Sequence, residues 1–162
     1  MTIQKEVWYL PRPASSYKGS YPLHFERHIK ELLGTENYIH FFSGNAKTGF
    51  RIDINKDTNP DLVADVQNLY GFVGLEDEKF EGGFADPPYS PEFAEKLYNT
   101  AYPNYNKWSK ELVRLVKKGG RIGIMHNYIV PKPKGCTYEK VVVILLRIKQ
   151  YPKVVTIFKK DE

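Results

Sequence analysis

Apolar residues along this chain follow two periodicities in turn, helical and alternating. The first 22 residues, rich in Pro, Ser and Tyr, follow neither, which marks residues 1–22 as an arm ahead of a single domain at 23–162. Leu23, Phe25, Ile29, Leu32 and Leu33 then fall on one helical face, with Gly34 as the stop. Short β-prone runs follow at residues 38–42 and 50–54, the first closed by Ser43-Gly44-Asn45. Residues 62–65 and the pair Phe84-Ala85 read as two further strands. Ser90 as N-cap and Pro91 at the first helical position predict a helix over 91–99. A second helix over 105–118 gathers Trp108, Leu112, Leu115 and Val116 on one side, and Gly119-Gly120 closes it. The fifth strand is expected at 121–125, a Pro- and Lys-containing loop at 129–135, and two last strands around 141–148 and 154–158. Residues 149–153 join those two closely enough for an antiparallel pair.

Seven strands interleaved with helices predict an α/β fold, with a mostly parallel sheet, helices on both faces and a C-terminal antiparallel hairpin. At 162 residues the domain buries a core without staples. Cys136, the one cysteine, forms no intramolecular disulfide, belongs to no metal cluster and fits a reducing compartment. A charged leader and a long apolar run are both missing, so a soluble, cytoplasmic protein without membrane contact is expected. Twenty-four basic against 19 acidic residues leave a net charge of +5, which favours a polyanionic partner.

The chemistry concentrates in Asp86-Pro87-Pro88-Tyr89, directly after Phe84-Ala85. An amine attached to a nucleobase is a poor nucleophile because its lone pair is delocalised into the ring. Two acceptors aimed at its two N–H bonds favour localisation of that pair as the nitrogen attacks, which is stabilisation by preorganised dipoles. The Asp86 carboxylate is one acceptor and the Pro87 carbonyl the other. Pro88 restricts Pro87 to extended conformations, so that carbonyl holds its direction. Tyr89 offers a face for a base taken out of its stack.

In this company the chain resembles a class I S-adenosylmethionine-dependent methyltransferase from about residue 23 onward. Phe41-Phe42-Ser43-Gly44 resembles the family's first strand and glycine loop, Arg51-Ile52-Asp53 its second strand, and Pro60 through Asp65 its third. Residues 114–121 resemble its glycine-turn entry into strand five, and Asp86-Pro87-Pro88-Tyr89 is similar to the motif of amino-methyltransferases acting on adenine N6. The resemblance implies a Rossmann-like, seven-stranded methyltransferase sheet with S-adenosylmethionine as cofactor. It places Phe42, Ser43, Gly44, Asp53, Asp65 and Val66 at that cofactor and Asp86, Pro87, Pro88 and Tyr89 at the reaction. The substrate side comprises Tyr89, Ser90, Lys107, His126 and Tyr128, with His126 outside the core site. Lys18 through Pro22 resembles a segment that covers the cofactor in DNA amino-methyltransferases.

Two features depart from that pattern. Only one glycine follows the first strand, and about seven residues separate the first two strands, fewer than a parallel crossover normally needs. The crossover helix is therefore expected to be missing or reduced to a turn. No insert is long enough for a target-recognition region, leaving Arg12, Lys18, residues 99–110 and residues 128–134 as candidate substrate contacts. The expected partner is a nucleic acid, DNA or RNA, with either loose sequence specificity, an RNA or single-stranded target, or a partner that supplies recognition, whether a homodimer or a recognition subunit. Protein glutamine, RNA guanine and a small molecule stay open as acceptors, as does a non-catalytic binding subunit.

Overall fold

The computed structural model describes residues 2–14, 16–146 and 151–162. Eight strands, β1 (Gln4–Tyr9), β2 (Tyr38–Phe41), β3 (Phe50–Asp53), β4 (Leu62–Val63), β5 (Phe80–Ala85), β6 (Val116–His126), β7 (Cys136–Leu145) and β8 (Lys153–Lys160), join one sheet. Three α-helices accompany them: α1 (Phe25–Leu33), α2 (Pro91–Tyr98) and α3 (Tyr105–Leu115). The strand order is β1-β7-β8-β6-β5-β2-β3-β4. Only β8 runs antiparallel to its neighbours, β6 and β7; every other pairing is parallel. The α/β class and the C-terminal hairpin are as the periodicity predicts, while the expected count of seven strands is corrected to eight.

The eighth is β1, within the stretch read as an arm, and it pairs with β7 from Gln4↔Lys140 to Tyr9↔Leu145. An edge strand buries one face and one edge at most, so its sequence needs few apolar residues and leaves a faint signal. Trp8 packs on His28 at 4.9 Å and Glu6 takes a 2.7 Å hydrogen bond from the Lys140 ammonium. These contacts with α1 and β7 are long-range and invisible to local pattern.

Alternation along the central strands divides the core in two. Ile39, Phe41, Ile122 and Ile124 pack beneath Trp108, Leu112 and Leu115 of α3. Tyr38, Phe84, Met125 and Val155 face Phe25, Ile29, Leu32 and Leu33 of α1 on the other side. At Gly83, a Cβ would lie 2.8 Å from Leu112 Cδ1 and 2.9 Å from Val116 Cγ2, so α3 owes its close approach to that glycine.

The helix expected over 105–118 ends at Leu115, and Gly119-Gly120 lies inside β6. The register between β5 and β6 slips between Phe80 and Gly82, and a Cβ at Gly120 would sit 2.5 Å from the Glu81 carbonyl oxygen. Those glycines serve a bulge, not a helix stop. Between β2 and β3 no helix forms, as the short spacing implied. Phe42, Gly44 and Gly49 take φ of 54°, 49° and 77°, folding the connection tightly enough for parallel pairing. Of the strand expected at 141–148 and the link at 149–153, residues 147–150 lie outside the described residues.

Candidate functional site

Sheet order reverses between β2 and β5: chain-sequential neighbours of β2 go one way, β5 and β6 the other. In open α/β sheets ligands gather outside the carboxyl ends of strands at such a point. A cleft of about 170 Å³ opens there. Phe42, Ser43, Gly44, Asp53, Asp65, Val66, Asp86 and Pro88 all line it.

Phe42 and Gly44 turn the chain through left-handed backbone immediately after β2. For a residue as bulky as Phe this is an uncommon, strained conformation. The turn is held by Asp53, whose Oδ2 accepts from the Gly44 N–H at 2.7 Å and whose Oδ1 accepts from the Asn55 N–H at 2.9 Å. A carboxylate has further lone pairs, so Asp53 still has acceptor capacity toward the cleft. Ser43 is only 3% exposed, and its hydroxyl has no hydrogen-bond partner among the described residues. Buried hydroxyls seldom go unpaired, which makes this one an unmet polar group in the cleft wall. Asp65 Oδ1 accepts from the Gln67 N–H at 3.0 Å, and Gln67 Oε1 accepts from the Asn104 N–H at 2.7 Å. That pair ties the loop after β4 to the N-cap of α3.

Asp86 leaves the end of β5 with its N–H donating to the Phe41 carbonyl at 3.4 Å. Its Oδ1 accepts from the Tyr89 hydroxyl at 3.0 Å. Burial pushes the Asp86 carboxyl up to about 6, while the nearby Lys153 ammonium and the Tyr89 hydroxyl pull it down. Lys153 Nζ sits 5.5 Å above the Tyr89 ring, and His126 packs on that ring at 4.9 Å. Burial also lowers the His126 imidazole below its ordinary value. Tyr128 continues the series, 4.0 Å from His126.

Not every expected residue reaches the cleft: Pro87, Tyr89, Ser90, Lys107, His126 and Tyr128 do not line it. The Ser90 hydroxyl accepts from the Phe93 N–H at 3.3 Å as the N-cap of α2. Lys107 is exposed in the first turn of α3 and does not line the cleft.

Several lining residues carry no sequence signal of their own, among them Tyr17, Tyr98, Asn55 and Gln67. Residues 17–21 lie along the cleft. Ser20 Oγ accepts from Asn45 Nδ2 at 3.0 Å, and a Cβ on Gly19 would lie 2.5 Å from the Tyr98 hydroxyl. Gly19 has φ of +89°, so close approach and backbone both require glycine. Tyr21 lines the cleft and pairs with His40 Nε2 at 2.8 Å, while His40 Nδ1 lies 3.1 Å from the Thr48 carbonyl oxygen. A carbonyl only accepts, so Nδ1 carries the proton and Nε2 accepts from the tyrosine. Burial holds His40 down at about 4, which keeps it neutral for that role. The short match over residues 18–22 was the one trace of this segment in the sequence.

No protein-family model and no curated protein sequence matches the chain. Solved structures do resemble it. TrmN from Thermus thermophilus superposes with a TM-score of 0.62 at 16% identity, over 90% of this chain and 51% of its own, so the chain spans about half of TrmN. An rRNA methylase from Streptococcus thermophilus gives 0.54 at 13% identity, covering 89% of this chain and 99% of its own. The N-methyltransferase NodS from Bradyrhizobium japonicum, in complex with S-adenosyl-l-homocysteine, gives 0.60 at 11% identity, covering 92% and 94%. The chain has the Rossmann-like methyltransferase fold.

Proposed function

We propose that this chain is an S-adenosylmethionine-dependent methyltransferase that acts on the exocyclic amino nitrogen of a nucleic-acid base, with adenine N6 the first acceptor to test. The observation that carries the reading is Asp86, half-buried at the end of β5 beside the switch point, with Tyr89 bonded to one oxygen and a proline-fixed carbonyl following it. A fold shared with an rRNA methylase and with an N-methyltransferase bound to S-adenosyl-l-homocysteine supports it.

The cleft residues fit the cofactor. Ser43 has a hydroxyl awaiting a partner, Asp53 has lone pairs for vicinal hydroxyls, and Asp65 beside buried Val66 offers an acceptor at an apolar wall. When bound, S-adenosylmethionine supplies an electrophilic methyl group. Asp86 accepts one N–H of the target amine and the Pro87 carbonyl the other, drawing the nitrogen lone pair out of conjugation. The Tyr89 hydroxyl fixes Oδ1 and leaves Oδ2 for the amine. With a carboxyl at about 6, Asp86 is ionised at neutral pH and basic enough to assist departure of the proton the methylated amine releases.

One feature favours a second reading, a methyltransferase-like binding subunit. The first loop has a single glycine, and a Cβ on Gly44 would lie 3.3 Å from the Tyr17 ring. Calorimetric titration with S-adenosylmethionine and its demethylated product, together with labelled-methyl transfer to adenine-containing acceptors, separates the two. Asp86→Ala is expected to abolish transfer while leaving cofactor binding intact, and Asp53→Ala to weaken binding. Equal loss of binding in both variants contradicts the Asp86 role; no binding by the folded wild-type chain selects the second reading.

A further inference from the structure

Two segments distant in sequence meet next to the acceptor side of the cleft, and the second then descends to the amino end of β7, where the Gly135 carbonyl accepts from the Asp161 N–H at 2.9 Å. Residues 99–110 and 127–138 contain Lys107, Lys110, Lys132 and Lys134 and no Asp or Glu, in a chain that has 19 acidic residues. All four lysines are exposed, and none forms an ion pair among the described residues. The segments are fastened to one another and to β7. The Tyr105 hydroxyl donates to the Pro131 carbonyl, and the Tyr138 hydroxyl donates to the Val130 carbonyl at 3.1 Å. This basic rim is therefore a fixed surface.

Rings connect that surface to Asp86. Tyr89, hydrogen-bonded to the Asp86 carboxylate, packs on His126 at 4.9 Å, and His126 packs on Tyr128 at 4.0 Å. The series starts at a half-buried carboxylate and ends on a tyrosine 50% exposed to solvent. Tyr102, 45% exposed, lies within electrostatic reach of Tyr128. Half-exposed aromatic rings followed by exposed lysines, with Asp161 bound to Thr137 at the far end at 2.8 Å, are what a single strand requires: faces on which unpaired bases stack, and cations for the phosphates further along. A duplex keeps its bases stacked and offers these rings nothing until a base is extruded.

We infer that this surface binds single-stranded nucleic acid, with Tyr128 stacking on the base adjacent to the one presented to Asp86 and Lys132 and Lys134 meeting the backbone further along the strand, toward the amino end of β7. The inference rests on the function proposed above. An acidic peptide would use the lysines and leave the ring series without purpose.

Fluorescence anisotropy of the full chain with labelled oligonucleotides of about ten residues, oligo-dA, oligo-rA and the dA strand in duplex, tests it across a salt series. Either single strand is expected to bind in preference to the duplex, and the dA and rA arms distinguish DNA from RNA. Tyr128→Ala should weaken single-strand binding roughly 5- to 100-fold, and Tyr128→Trp should retain it. The Lys132→Ala, Lys134→Ala double variant should flatten the logarithmic salt slope by about 1.4. Duplex binding equal to single-strand binding, or an unchanged affinity in Tyr128→Ala, overturns the inference. Its failure is separable from failure of the methyltransferase reading. Methyl transfer to free nucleoside by a chain that binds no oligonucleotide refutes the rim alone. Oligonucleotide binding through Tyr128 by a chain that binds no S-adenosylmethionine upholds the rim and refutes the enzyme.

Discussion

Replacing Asp86 by Asn should destroy methyl transfer and at the same time make the protein more stable. The carboxyl has an ordinary value of 3.8 and is pushed by burial to about 6 in the fold. At about 1.4 kcal/mol for each tenfold change in proton affinity, the ionised side chain destabilises the native state by about 3 kcal/mol. Contact with the open cleft trims this to about 2–3 kcal/mol. The sign follows from the folded value lying above the unfolded one. Below pH 3.8 both states hold the proton and the penalty is absent; it grows from 3.8 to about 6 and is complete above that. Asn keeps an oxygen for the Tyr89 hydroxyl and carries no charge, so the variant escapes the penalty. Urea denaturation of both proteins should show the advantage of Asp86→Asn growing by about 2 kcal/mol between about pH 4.5 and 8. Thermal midpoints at the upper pH should differ by roughly 4–12 °C, given a chain of this length. A difference that does not change with pH, or an Asn variant less stable at the upper pH, refutes the placement of an ionised, desolvated Asp86.

The same carboxyl sets the acid limb of activity: transfer should fall as pH drops through about 6, and Lys153→Met should move that limb upward by removing the cation that pulls Asp86 down, read from rate–pH profiles. Tyr21→Phe leaves buried His40 Nε2 without its donor and should cost about 1–3 kcal/mol in chemical denaturation, with weaker cofactor binding because residues 17–21 lose an anchor on β2. Gly83→Ala presses a methyl into Leu112 and Val116 and should cost about 1–3 kcal/mol in a urea melt; an unchanged midpoint would contradict the close packing of α3 on β5.

What was legible in the sequence is what local chemistry demands. Gly44, Asp53, Asp65 and Asp86 stand just after apolar runs, and any parallel sheet delivers the ends of its central strands to one edge. Pattern and the family resemblance together therefore brought into one site residues up to 42 positions apart, from Gly44 to Asp86. β1 escaped, and the strap at residues 17–21 left only the short match over residues 18–22, because nothing in either segment is self-sufficient. β1 is defined by β7, more than 130 residues away, and Tyr17, Gly19 and Tyr21 acquire meaning only against Gly44, Tyr98 and His40. The Gly119-Gly120 pair misled for the converse reason: a strong local stop signal was answering a backbone contact with Glu81 on the neighbouring strand. The strap also bears on how the cleft works. Two of the hydrogen bonds that hold the strap run from Ser20 to Asn45 and from Tyr21 to His40, whose partners belong to β2 or the turn after it, and the Tyr21 ring also packs on Phe25 and Phe84. The strained Phe42–Gly44 turn therefore lies next to the hydrogen bonds that fasten the segment over it. Loss of Tyr21 should consequently weaken cofactor binding even though its hydroxyl is already committed to His40, and the size of that loss measures the coupling.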